Sequence, residues 1–168
     1  MTVSIHSPGP EHNDAVAEVL ARAFGGSDEA RLVASLRAAG VPMLERIALR
    51  GGAVLGHVAL SAMQSPLKTA GLAPVAVHPD WQGQGIGTAM VRDVLSAGAE
   101  QWLAAFVLGE PGYYRRFGFE TGAATGFESR YPASHMMALA LRPEGLAGLT
   151  GQLRYAAPIE ALGEAETP

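Results

Sequence analysis

The segment "VAVHPDWQGQGIGTAMVRDVL", Val75 to Leu95, sets glycine at the alternate positions 83, 85 and 87 between an apolar run and a run of helical period. A strand must therefore hand over to a helix through a nearly bare backbone, the central unit of an α/β arrangement. Such a loop exposes free N–H groups and the positive end of the helix dipole, which suit an anion and most naturally a phosphate. Two familiar patterns fail on the letters. The dinucleotide fingerprint GxGxxG needs glycine where Thr88 stands, and the phosphate loop of NTPases needs a lysine between Gly87 and Thr88. An isolated GxGxG is equally compatible with a turn that lets a helix pack close to a strand.

The flanking segments supply the remaining elements. From Glu11 to Phe24, residues Val16, Val19, Leu20, Ala23 and Phe24 fall on one helical face. A second helix follows in "GGSDEARLVASLRAAG", with Ser27 placed to cap it, Asp28 and Glu29 in its first turn, Leu32 and Leu36 on one face, and Gly40 to stop it. Two helices thus precede any expected strand. "MLERIALR" and "AVLGHVALSAM" read as a hairpin turned by Gly51 and Gly52. After the loop "QSPLKTAG", the strand "LAPVAVHP" carries Pro74, which predicts a bulge or an unpaired edge. A helix from about Thr88 to Trp102 buries Val91, Val94, Leu95, Gly98 and Trp102, then come strands at "LAAFVLG" and "HMMALAL" with a short helix or turn at "GYYRRFGF" between them. A short strand is expected at "QLRY", and the last dozen residues read as poorly ordered.

Composition removes several function classes. The 168 residues suit one domain. With no cysteine, there is no disulfide, thiolate metal site or cysteine nucleophile. Lys68 is the sole lysine among twelve basic residues and the net charge is -4, which argues against a nucleic-acid surface. The N-terminal segment lacks the pattern of a signal peptide and no apolar run approaches membrane-spanning length, so a cytoplasmic protein without a membrane partner is expected.

The whole glycine run resembles the acetyl-coenzyme A signature Gln/Arg-x-x-Gly-x-Gly/Ala of the GNAT N-acetyltransferases, matched by Gln82, Gly85 and Gly87. Some thirty residues on, "YYRRFGFE" is similar to that family's F-Y-x-x-x-G-F element, and the paired N-terminal helices, "GHVALS" and the C-terminal "MMALALRPEGLAGLTGQLRY" resemble a bacterial branch of predicted GNAT acetyltransferases. The resemblance implies an α/β GNAT fold over residues 1–155, with a mixed, mostly antiparallel sheet splayed at the acetyl-CoA strands and flanked by helices. Residues 156–168 would then form a poorly ordered tail.

It further implies acetyl-CoA as cosubstrate and no metal. Pantetheine would run along the edge of Val75, Ala76 and Val77, and the pyrophosphate would rest on Gln82, Gly83, Gln84, Gly85, Ile86, Gly87 and Thr88. Counting back from Gly118 and Phe119 puts the family's tyrosine, a general acid toward the departing sulfur, on Tyr114; on its own that residue reads as a ring that packs. Tyr113 reads as packing or lining the site. The base is open, because "LAPVAV" holds no acid: His57, Glu110 and Glu45 are candidates, with weaker claims for His78 and His135. Histidine titrates near neutrality, yet a lone one in an apolar strand is commonly a hydrogen-bonded core residue. Arg115 and Arg116 reach toward phosphates or solvent, and Trp81 and Trp102 read as core. A small-molecule amine, or a peptide amine, would enter between the N-terminal helices and "QSPLKTAG", in a monomer or homodimer. A noncatalytic acyl-CoA-binding or sensing domain is the alternative.

Overall fold

Gly51 and Gly52 both take positive φ, 58° and 82°, and fold β2 (Met43–Arg50) back on β3 (Ala53–Ala62). This hairpin is the middle of the sheet in the computed structural model, which describes residues 2–165. With β1 (Ser4–His6), β4 (Thr69–Val77), β5 (Ala104–Leu108) and a later strand, β7 (Met136–Ala140), it makes six strands in the order β1-β2-β3-β4-β5-β7. Every neighbouring pair is antiparallel except β4 with β5. Short β6 (Phe127–Glu128) and β8 (Gly151–Gln152) form a separate parallel pair.

Two irregularities of β4 shape the molecule. Its register against β3 passes from Leu60↔Leu72 to Val58↔Val75, so Ala73 and Pro74 together oppose Ala59: the bulge that Pro74 predicts. On its other edge, β4 pairs with β5 only at Thr69↔Ala104, Ala70↔Ala105 and Gly71↔Phe106. Beyond Gly71 the two parallel strands part, and β5 continues against β7 alone to Leu108.

Helix α1 (Asn13–Phe24) and α2 (Asp28–Ala38) cover one face, where Val16, Val19, Leu20 and Val33 pack on Ile47, Val54 and Ala76. Helix α3 (Ile86–Gly98) covers the other, with Met90, Val91, Val94 and Leu95 against Val58, Leu60 and Leu72. Close approach is built in at Gly98, where an added Cβ would lie 2.6 Å from a Leu60 methyl. A four-residue helix, α4 (Pro111–Tyr114), follows β5, and α5 (Ala157–Ala165) ends the described chain.

Several expectations need correction. Strand β1 precedes the helices, and three residues are too few to show a period. Ser27 stands at the N-cap of α2, but with ψ near 0° its backbone is helical and its hydroxyl makes no cap bond. Phe24 is 45% exposed at the end of α1. Helix α3 begins at Ile86 and ends at Gly98, although Trp102 is buried as expected. The last three residues of "QSPLKTAG" are already β4, and at "QLRY" the ladder holds only Gln152, with Arg154 bridging to Ser65. The segment expected to be a loose tail is α5, whose Ile159 and Leu162 pack with Leu32 and Leu36. A glycine-rich approach conceals these apolar positions in the sequence; residues 166–168 lie outside the described chain.

Candidate active site

The end of β4, the glycine loop and the start of α3 enclose a cleft of about 270 Å³. Its walls include Val77, Trp81, Gly85, Thr88, Tyr113 and Arg116. Gly83 and Gly85 take φ of 75° and 83°, a region that L side chains occupy at a cost of roughly 1–2 kcal/mol. Gly85 is the N-cap of α3 and brings no side chain to it; the first bond back to the loop runs from the amide of Ala89 to the Gly85 carbonyl, 3.0 Å. The preceding helical amides of Ile86, Gly87 and Thr88 are those an α-helix cannot satisfy internally. With the helix dipole behind them they form an anion seat.

Gln82 does not point its side chain into this seat. Its Nε2 donates to the Val77 carbonyl at 3.1 Å, tying the loop to the end of β4. Tyr113 stands over the helix start, its hydroxyl 3.4 Å from Thr88 Oγ1, and an added Cβ at Gly87 would lie 3.2 Å from that hydroxyl. Arg116 lies over the Tyr113 ring at 4.3 Å and donates to its carbonyl, so the cation is at the cleft; Arg115 pairs with Glu120 instead. Trp81, read as core, lines the cleft with the Arg50 guanidinium 4.7 Å above its ring.

Tyr114 turns the other way. Its ring lies against Gly109, at the end of β5, where any Cβ would collide with it, and meets Tyr113 and Phe119 edge-on. Burial, helped by the neighbouring Tyr113, pushes its phenol up to about 12. At neutral pH it is therefore a proton donor, set beside the gap between β4 and β5.

The base candidates separate in space. His57 on β3 has no exposed surface; its Nε2 lies 2.8 Å from Glu45 Oε1 on β2, and its Nδ1 is buried without a partner. Arg37 of α2 clamps the same carboxylate with Nη2 at 2.6 Å and Nε at 3.1 Å, and reaches Asn13 of α1. Burial alone would raise the Glu45 carboxyl, but hydrogen bonds from His57 and Arg37 and their charge outweigh it and hold it down at about 2. An ionised Glu45 requires His57 to donate from Nε2. Glu110 is the N-cap of α4, three residues before Tyr113, with its side chain 81% exposed and 3.7 Å from His135. His78 accepts from the Asp80 amide as a turn residue.

Residues 45–121 match the family model described as an acetyltransferase (GNAT) domain. The N-acetyltransferase YhbS of Escherichia coli K12 is 34% identical over 160 residues, covering 91% of this chain and 92% of that protein. YjhQ of the same organism, also an N-acetyltransferase, is 36% identical over 165 residues, covering 86% and 87%. The chain belongs to the GNAT acetyltransferase family. The crystal structure of Escherichia coli YhbS in complex with CoA superposes on this GNAT fold with a TM-score of 0.87, at 32% identity over 94% of this chain and 92% of that one. A GNAT acetyltransferase from Brucella melitensis in complex with acetyl-CoA gives 0.79, at 29% identity over 94% and 98%. The protein is thus an acetyltransferase on a mixed α/β GNAT fold, as its motifs imply. Among the described residues no group of side chains is arranged to hold a metal, and no helix is long and apolar enough to cross a membrane.

Within this GNAT domain, Val77, Gln82, Gly83 and Gly85 to Thr88 line one cleft, Val75 and Ala76 lie on the β4 edge that β5 leaves, and Tyr114 packs against Gly109 past the end of β5, whereas His57 is fully buried against Glu45. Tyr113 and Trp81 are wall residues whose aromatic character was legible but whose direction was not. The Arg37–Glu45 clamp joins a helix and a strand through partners that no local spacing relates. The folded carboxyl of Glu45 lies below its ordinary value of 4.5, so its stabilisation is present above about pH 4.5 and lost as pH falls toward 2. Glu45→Gln is expected to lower the urea-unfolding free energy at pH 7 by on the order of 3 kcal/mol, the gap to the parent closing toward pH 2. A gap that does not change with pH would contradict the clamp.

Proposed function

We propose that the protein transfers an acetyl group from acetyl-CoA to a primary amine by direct attack, with a small-molecule amine as acceptor. One observation carries the reading. The β4 edge freed beyond Gly71 ends at Val77, which lines the same cleft as the uncapped, glycine-lined start of α3, so one extended ligand with an anionic end can lie along both. The amides from Gly83 to Thr88 hold the pyrophosphate, and Arg116 adds a cation at its edge. Backbone groups of Val75 to Val77 hold the pantetheine arm, and an N–H near Val75 polarises the thioester carbonyl.

The amine nitrogen forms a bond to the carbonyl carbon as the carbon–sulfur bond breaks. Tyr114, protonated at neutral pH, donates to the sulfur as charge develops there and passes its proton to the departing thiolate, whose own proton affinity rises in the same buried setting. The amine's proton leaves by way of Glu110. That carboxylate is favoured over His57 because it is open to solvent at the N-cap of α4, the helix that carries Tyr114, while His57 has no surface from which to meet an amine. Cysteine is not needed, since no acyl-enzyme forms.

Two variants test the arrangement. Tyr114→Phe is expected to lower kcat in a thiol-release assay by roughly 10²–10⁴ while leaving the Kd for CoA within a few-fold; unchanged turnover would remove the acid role. Gly85→Asp places a negative charge in the anion seat, whereas Gly85→Asn fits the same left-handed backbone without one. Calorimetry should show at least tenfold weaker CoA binding for Asp than for Asn; equal affinities would argue against the seat. Tight CoA binding with no amine-dependent thiol release would favour a sensing domain.

A further inference from the structure

A second cavity, of about 180 Å³, opens on the α1/α2 side of the sheet where β4 leaves β5. Leu72 and Ala73 supply it from β4, Leu108 from β5, Tyr131 from the segment before β7, and Tyr155, Ile159 and Leu162 from the C-terminal segment and α5. None of these side chains carries a charge. Gly71 makes the back wall possible: a Cβ there would overlap the edge of the Tyr155 ring, which abuts the strand at the last β4–β5 pair. Tyr131 closes edge-on upon Tyr155, with ring centroids 5.6 Å apart.

Its position relates it to the chemistry. Val77 lines the anion cleft and Ala73 lines this cavity, about 13 Å apart at 3.3 Å per residue and within the reach of an extended pantetheine arm. Leu108 immediately precedes Gly109, on which the Tyr114 ring rests, and Tyr114 is near enough to act electrostatically on Tyr155. An acetyl group leaves most of this volume unfilled. Apolar cavities of about 150 Å³ accept a benzene ring. Leu108, 41% exposed, marks an opening to solvent. The loop expected to border the acceptor's entrance is tied to the segment that walls this cavity, the amides of Gln64 and Ser65 both donating to the Arg154 carbonyl and Gln64 Nε2 to the Tyr155 carbonyl.

We propose that this cavity is the acceptor subsite and takes a ring-sized apolar or aromatic substituent on a primary amine, excluding polycations. The proposal rests on the acetyl-CoA-dependent reading above. It assigns α5 a part in substrate choice, since Ile159 and Leu162 form one wall.

The test compares 2-phenylethylamine, ethanolamine and spermidine as acceptors for the full-length protein, with acetyl-CoA and hexanoyl-CoA as donors. With acetyl-CoA, kcat/KM for 2-phenylethylamine should exceed that for the other two by at least 100-fold. Ile159→Trp, which fills the cavity, should raise its KM at least tenfold while the KM for acetyl-CoA stays within twofold. Thermal melting distinguishes this from loss of fold, and Ile159→Leu should restore the KM. In crystals grown with CoA, 4-bromophenethylamine should place its bromine among Ala73, Leu108 and Tyr155. Equal use of the three amines, bromine elsewhere or nowhere, or a preference for hexanoyl-CoA that Ile159→Trp abolishes would overturn the proposal and leave acetyl transfer standing. CoA binding with neither thiol release nor bromine at the site would overturn both readings.

Discussion

The ladder between β4 and β5 ends after three pairs, and the site is a consequence of that ending. Two parallel strands that stayed paired would bury their inner edges in each other and leave no room for a ligand. Here β4 bends at the Ala73–Pro74 bulge and is still held by β3, while β5 is held by β7, so each strand keeps one satisfied edge. The other edge of β4 is left for a ligand's amides and carbonyls. The backbone thus supplies an extended slot whose polar groups need a partner, and a thioester arm of alternating amides and methylenes can provide one.

The gap also divides the chemistry by face. On the α3 side lie the glycine loop, Tyr113 and Arg116, all suited to the anionic end of a donor. On the α1/α2 side lies the uncharged cavity walled by Tyr155 and α5. Tyr114 stands between, its ring buried by Gly109 and Phe119 and its phenol kept protonated. The buried Arg37–Glu45–His57 group does different work. It fastens α2 to β2 and β3 behind the slot, holding the sheet against the helices while β4 and β5 are apart.

The parts legible in the sequence were those written in local spacing. Alternate glycines, the i, i+3, i+4 faces of α1 and α3, the Gly51–Gly52 turn and the Pro74 bulge each depend on neighbours a few residues away, and each is present. Helix α5 was missed because its burial comes from Leu32 and Leu36, more than a hundred residues upstream, and not from any strong pattern of its own. Strand β1 was missed for its brevity. For the site, the motif indicated which residues approach the cleft but not how side chains divide their roles. Gln82 turns back to Val77, Arg116 and not Arg115 meets the cleft, and His57 is closed off by Glu45. Such choices depend on tertiary partners that one sequence does not pair.

The central claim is that the parted strands and the bare helix start form one continuous donor site, and a crystal structure of the protein with acetyl-CoA tests it most directly. The account predicts pyrophosphate oxygens within 3.2 Å of amides between Gly83 and Thr88, with the pantetheine arm hydrogen-bonded to β4 between Val75 and Val77. The thioester should lie beside Tyr114. A coenzyme bound elsewhere, or a β4–β5 ladder that closes past Gly71 with the ligand bound outside it, would contradict the account.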